Sequence, residues 1–172
     1  MKNVIKIWLA VLMAWIVTTA NAQQPKTALE LNDRLASITD SLYAKGQLWG
    51  TQFVSASKNK DFTTLKPYRE NIQRFITSEL KAVKTMKDIN GSEKLRGAII
   101  DFLNYENKMV TEGFLPVEKL GKTATEDDVQ KVIKDLTAKS EDEAYYLKKV
   151  SLEQEAYAKK NGFTIEAPES KE

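Results

Sequence analysis

Apolar side chains recur at steps of three and four through almost the whole chain, and that period constrains its fold more than any other feature. Leu31, Leu35, Ile38, Leu42, Trp49, Phe53 and Ala56 form the first stripe, with Lys45 falling in the same register. Because an α-helix turns once per 3.6 residues, residues spaced this way share one face only if the segment is helical. The stripe predicts one long amphipathic helix over Thr27 to Lys58, closed by a turn at Asn59-Lys60-Asp61. A second stripe, Leu65, Tyr68, Ile72, Phe75 with Ile76, Leu80, Val83 and Met86, predicts a helix from Thr64 to Ile89. Pro67 falls in its first turn, where a missing N–H costs little, and Asn90-Gly91 reads as its C-cap.

Ser92 is a natural N-cap for a third helix whose stripe is Leu95, Ile99, Phe102, Leu103, Met109 and Val110, with Gly113 and Pro116 reading as its end. The segment from Phe114 to Thr125 is the longest irregular connection, with room for one helical turn at Val117 to Leu120. Thr125 and Asp128 resemble a capping box that opens a fourth helix, continuing through Val129, Val132, Ile133, Leu136, Ala144, Leu147, Val150, Gln154 and Tyr157 to a second C-cap pair, Asn161-Gly162. No stretch alternates with period two. Four amphipathic helices on short connections specify an all-α fold, an up-down-up-down four-helix bundle over residues 23–162, with residues 163–172 as a C-terminal tail. The apolar stripes are wider than a two-in-seven seam, which favours a closed monomeric bundle over a parallel coiled coil.

The first 22 residues follow another pattern. Lys2 and Lys6 precede an uninterrupted apolar run from Ile7 to Val17, and Ala20-Asn21-Ala22 supplies an Ala-x-Ala cleavage site before Gln23. This is the anatomy of a cleaved signal peptide. Its apolar run of 11 residues is short of the roughly 20 that cross a bilayer. The expected product is periplasmic or extracellular, without an integral membrane span after cleavage. The chain has no Cys, so a lipoprotein anchor is not expected.

Composition narrows the chemistry. The 172 residues carry 26 Lys plus Arg, 24 Asp plus Glu, no His and no Cys. A Ser-His-Asp triad, a thiolate nucleophile, a zinc site of imidazole or thiolate and a disulfide framework are all excluded. A di-iron bundle needs Glu-x-x-His motifs and fails for the same reason. Lys2 and Lys6 account for the net charge of +2, so the exported domain is formally neutral and a nucleic-acid partner is not expected. Lys58, Lys60, Lys66 and Arg69 form only a small basic patch. Met86 and Met109 lie on apolar stripes as core filling does, and with no Cys-x-x-Cys-His no haem or other cofactor is expected.

Two glutamates stand out. Glu79 is flanked at helical spacing by Phe75, Ile76, Ala82 and Val83, and Glu106 by Phe102, Leu103, Met109 and Val110, so both project from faces that should pack inward. Counted from the turn at Asn90-Gly91, they fall within about one helical turn of each other, and Lys45 comes to a similar level on the first helix. Buried carboxylates need pairing or a raised pKa. The candidate ligand site is therefore Lys45, Gly46, Gly50, Glu79 and Glu106, and the alternative is a structural Lys45 to Glu pair. Gly46 and Gly50 sit inside the first helix at about 1 kcal/mol each relative to Ala, marking a groove, a close packing contact or a kink. Tyr43, Trp49, Phe53, Phe62 and Tyr68 are expected to cap the core at the first turn. The acidic runs Glu126-Asp127-Asp128 and Glu141-Asp142-Glu143 read as a helix N-terminus and a solvated face, with no catalytic or metal role.

The stretch Gly46-Gln47-Leu48-Trp49-Gly50, continuing to Asp61-Phe62-Thr63-Thr64-Leu65-Lys66-Pro67-Tyr68-Arg69, behind a signal peptide, resembles an uncharacterised family of secreted bacterial surface proteins built as helical bundles. The resemblance spans about the first half of the exported chain and implies location and fold only. The expected function is that of a secreted, non-enzymatic bundle serving as an interaction or structural component of the cell envelope, with a protein or envelope partner. The alternatives are an envelope protein that binds a cation or small ligand between its helices, and an enzyme that uses paired carboxylates as a hydrolase might.

Overall fold

The structure, a computed structural model, describes residues 24–165. The expected signal peptide and most of the expected tail lie outside the described residues. All regular structure among the described residues is helical. Helix α1 (Ala28–Asn59) starts where Thr27 accepts the Glu30 N–H and ends at Lys60, which takes a left-handed conformation at φ 53°. A 3-10 turn, Phe62–Leu65, leads into α2 (Lys66–Thr85), with Pro67 in its first turn.

The second helix is shorter than its stripe predicts. It stops at Thr85, with Met86 extended at ψ 135°, and Asn90 and Gly91 together form a tight turn at φ 50° and 81° instead of a C-cap. The backbone groups freed by this early stop have partners elsewhere. Arg96 donates to the Met86 carbonyl, Tyr157 donates to the Ile89 carbonyl at 2.8 Å, and the Ile89 N–H reaches the Ser92 hydroxyl at 3.2 Å. Ser92 therefore ties down the turn rather than capping the next helix; it also donates to Asp88.

The third helix is longer than expected. After α3 (Glu93–Met109) the chain widens into a π-helical turn, Val110–Phe114, and continues as a short helix α4 (Leu115–Glu118). Gly113 and Pro116 do not end the rod. Pro116 lacks an N–H and would crowd the carbonyl four residues back, and the wider i→i+5 spacing, with Leu115 donating to Val110, absorbs that conflict. The last helix, α5 (Glu126–Asn161), begins at a reciprocal capping box of Thr125 and Asp128 and ends at Gly162 with φ 73°.

With α3, the π turn and α4 as one rod, these elements form the up-down-up-down four-helix bundle. Leu31, Leu35 and Ile38 of α1, Ile72, Ile76 and Val83 of α2, and Leu95, Ile99 and Leu103 of α3 are buried and meet along its axis. Arg69 is buried against Glu118, with Nε 2.6 Å from the carboxylate, so it belongs to the interior and not to a basic surface patch.

The bundle is not equally tight all round. Neighbouring helices pack closely from α1 to α2, α2 to α3 and α3 to α5, whereas α5 touches α1 only lightly. Its buried residues, Val150, Tyr157 and Ala158, all lie near its C-terminal end, where Gln154 donates to Asn32 of α1 at 3.2 Å. Along the N-terminal part of α5, Val129, Val132 and Leu136 are only half-buried. The bundle is thus closed at one end and gapes between α1 and α5 at the other.

Candidate functional site: a cleft between α1, α3 and α5

The gap is a mostly apolar cleft of about 480 Å³. Helix α1 contributes Leu42, Gly46, Trp49 and Gly50; α3 contributes Phe102, Glu106 and Met109; Phe114 comes from the π turn; α5 closes it with Leu136, Ser140, Glu143 and Leu147. Tyr43 and Leu147, 69% and 40% exposed, stand at its rim, so Tyr43 is not part of a core cap.

The glycines help to make the cleft. Leu42 and Trp49 are successive buried residues of α1, and of the lining positions between them Tyr43 and Gln47 are exposed and Gly46 has no side chain to fill the space. A Cβ added at Gly46 or Gly50 would meet nothing within 4 Å. The expectation of a close packing contact there is therefore wrong: the two glycines face open space.

Trp49 floors the cleft. Its indole stacks on Phe114 at 4.0 Å between centroids and lies nearly parallel to Phe53 at 5.6 Å. Its Nε1–H is buried and has no hydrogen-bond partner. The Oε1 of Glu106 is in the same condition. Among the described residues only three buried side-chain polar atoms lack a partner, and two of them belong to residues that line this cleft; the third is Nε of Arg96. Such atoms are uncommon in folded proteins, because each forfeits its water without replacement.

Glu106 is held in its neutral form at neutral pH. Burial, and then the charge of and a hydrogen bond with Glu143, push its carboxyl up from 4.5 to about 8. Glu143 belongs to the acidic run that reads as a solvated face; the structure turns it inward. Next to this pair, Tyr105 donates to the Lys139 carbonyl and stacks on Tyr146 at 4.6 Å, tying α3 to α5. Burial, followed by the nearby charges of Asp142, Glu143 and Glu106, raises the Tyr105 hydroxyl to about 12.

Of the five residues singled out from the sequence, Gly46, Gly50 and Glu106 come together here, and Lys45 and Glu79 do not. Glu79 pairs with Arg34 of α1, a partner the sequence did not point to. Lys45 turns to the other side of α1, where Nζ donates to Asn71 at 3.0 Å and lies 5.2 Å over the Phe75 ring. It lines an outer groove with Leu48 and Tyr68; at 680 Å³ that groove is larger than the cleft but contains no unpartnered buried atom. Met86 lies beside Arg96 near the start of α3 and Met109 at its far end, about 20 Å away along the helix, so the two do not face a common ligand.

The Thr39 and Ser140 hydroxyls donate to carbonyls of their own helices, and the chain has no imidazole or thiol to activate them. Among the described residues no three acidic side chains converge as a metal site requires, and no helix is long and apolar enough to cross a membrane. No family model, curated protein or solved structure matches the chain.

Proposed function

We propose that the protein is an exported, non-enzymatic component of the cell envelope that works by binding, and that the cleft between α1, α3 and α5 holds one small, predominantly apolar molecule. The observation that carries this reading is the pairing of an apolar cleft with two buried, unpartnered polar atoms, the indole N–H of Trp49 and Oε1 of Glu106. Ligand sites are typically apolar concavities of roughly 300–1,000 Å³ with a few convergent polar groups, and a cleft of 480 Å³ falls in that range. The glycines support the same reading. They weaken α1 by about 2 kcal/mol together relative to Ala, and no packing contact demands them. Export rests on the basic, apolar and Ala-x-Ala pattern of residues 1–22.

Titration with Nile red, an uncharged apolar dye that brightens when it leaves water, tests the proposal. The native protein should bind it saturably at one site. Gly46→Leu, which puts a branched side chain into the cleft, should lower the affinity by about tenfold or more with the far-ultraviolet circular dichroism unchanged. Equal binding by the folded variant would place the dye elsewhere and remove the cleft from the argument.

A further inference from the structure

The walls of the cleft restrict the charge of what it accepts. The lining contains two carboxyls, Glu106 and Glu143, and no Lys or Arg. Glu106 is only 6% exposed, and its Oε1 has no partner. Three basic side chains of the surrounding helices are engaged elsewhere: Lys139 with Glu112 at 3.0 Å, Lys149 with Asp101 at 2.7 Å, and Lys45 with Asn71. A pair of carboxyls in an apolar site without a cation must keep a proton on one of them. The missing element of the site is a positive charge.

On the reading that the cleft is the binding site, we propose that its ligand is an apolar amine, with the protonated nitrogen held by the carboxyls of Glu106 and Glu143 and the hydrocarbon lying along Leu42, Trp49 and Phe102. The free ammonium ion enters with its charge, Glu106 releases its proton to solvent, and in the complex the carboxylates of Glu106 and Glu143 both face the ammonium. Charge balances, and no bond other than the carboxyl O–H is broken. Burial and Glu143 are what raise the carboxyl to about 8, and a bound cation reverses the second of these. The other groups around Glu106 do not compete. Tyr43 is the titratable lining residue of α1, α2 contributes only Ile72, and the neighbouring Tyr105 on α3 is committed to the Lys139 carbonyl. A carboxylate ligand would place a third acid beside two. The Trp49 N–H asks for an acceptor and does not discriminate between an amine and an alcohol.

The test is displacement of Nile red by octylamine, octanol and octanoate at pH 7. Charge-assisted hydrogen bonds are stronger than neutral ones, so octylamine should compete at about one-tenth the concentration of octanol or less, and octanoate should be the weakest. Within Glu106→Gln and within Glu143→Gln, the ratio of octanol to octylamine potency should fall towards one. Titration calorimetry of the native protein in two buffers of different ionisation enthalpy should show release of about one proton with octylamine and none with octanol. Equal potency of amine and alcohol, preference for octanoate, or an unchanged ratio in both variants overturns the amine while leaving the dye-binding cleft intact. Failure of the native protein to bind Nile red at all overturns the cleft and the amine together.

Discussion

Replacing Glu106 by Gln should stabilise the protein, and by an amount that depends on pH. In the unfolded chain the carboxyl ionises near 4.5, whereas in the native cleft it keeps its proton until about pH 8. Between those values the native state holds one proton more than the unfolded state, so stability falls as pH rises, by about 1.4 kcal/mol per unit. From pH 5 to pH 8 the loss amounts to about 4 kcal/mol, a large part of the 5–15 kcal/mol typical of a domain. Above pH 8 both states are ionised and the loss is complete. Gln has the same shape and does not ionise, so its stability should be flat across this window. The other shifted groups act outside it. Asp61, Asp88 and Asp128 are held below 3.8, chiefly by hydrogen bonds from the Thr63, Ser92 and Thr125 side chains, and their contribution is lost only on acidification below about pH 4. Burial of Tyr105 and Tyr157, and the Asp101 hydrogen bond to Lys149, act above about pH 10. Urea unfolding followed by circular dichroism at pH 5, 6, 7 and 8 reads the effect. With a slope on the order of 2 kcal/mol per molar urea, the native midpoint should fall by about 2 M while that of Glu106→Gln stays constant. A flat native profile, or the same decline in the variant, would refute the burial of this carboxyl as the source.

Gly46→Ala and Gly50→Ala should each raise stability by about 0.5–1 kcal/mol, because both positions are helical and an added Cβ meets open space; a lower urea midpoint in either would show that the position is crowded. Glu79→Gln should cost about 1 kcal/mol by leaving Arg34 without its charged partner, and Lys45→Met less than about 1 kcal/mol because its contacts are exposed. Neither residue lines the cleft, so Nile red affinity should change by less than about twofold in both, and a tenfold loss in either would relocate the site.

The architecture was legible because each helix keeps its apolar side chains on one face and announces most of its ends. Thr27, the Thr125–Asp128 box and Gly162 stand where the caps are. Two boundaries were misread for local reasons. Pro116 reads as a stop, and only the widened turn at Val110–Phe114 lets the rod continue through it. Asn90-Gly91 reads as a C-cap, yet two successive residues of positive φ make a turn of their own, beginning five residues beyond the true end of α2. Of the site, Glu106 was visible as an acid on an apolar stripe, and Gly46 and Gly50 as costly helix residues. Glu143 was not, because it stands in the charged run Glu141-Asp142-Glu143 with Lys139 and Ser140 before it, and Tyr146 and Leu147 mark its face on one side only. The pairing of Glu79 with Arg34 and the outward turn of Lys45 depend on how the helices rotate against one another, which periodicity does not specify. Nor does it specify the cleft, which exists because α5 leaves α1 along its N-terminal part.

The Trp49 indole N–H gives the most direct view of the cleft, since Trp49 lines the cleft and this N–H has no partner in the protein. In a nitrogen-15 labelled sample its resonance, assigned with Trp49→Phe, can be followed during a Nile red titration. This resonance should move and saturate together with the dye fluorescence in the native protein, and stay fixed in Gly46→Leu. Saturable dye binding that leaves the Trp49 resonance unmoved would contradict the cleft as the binding site.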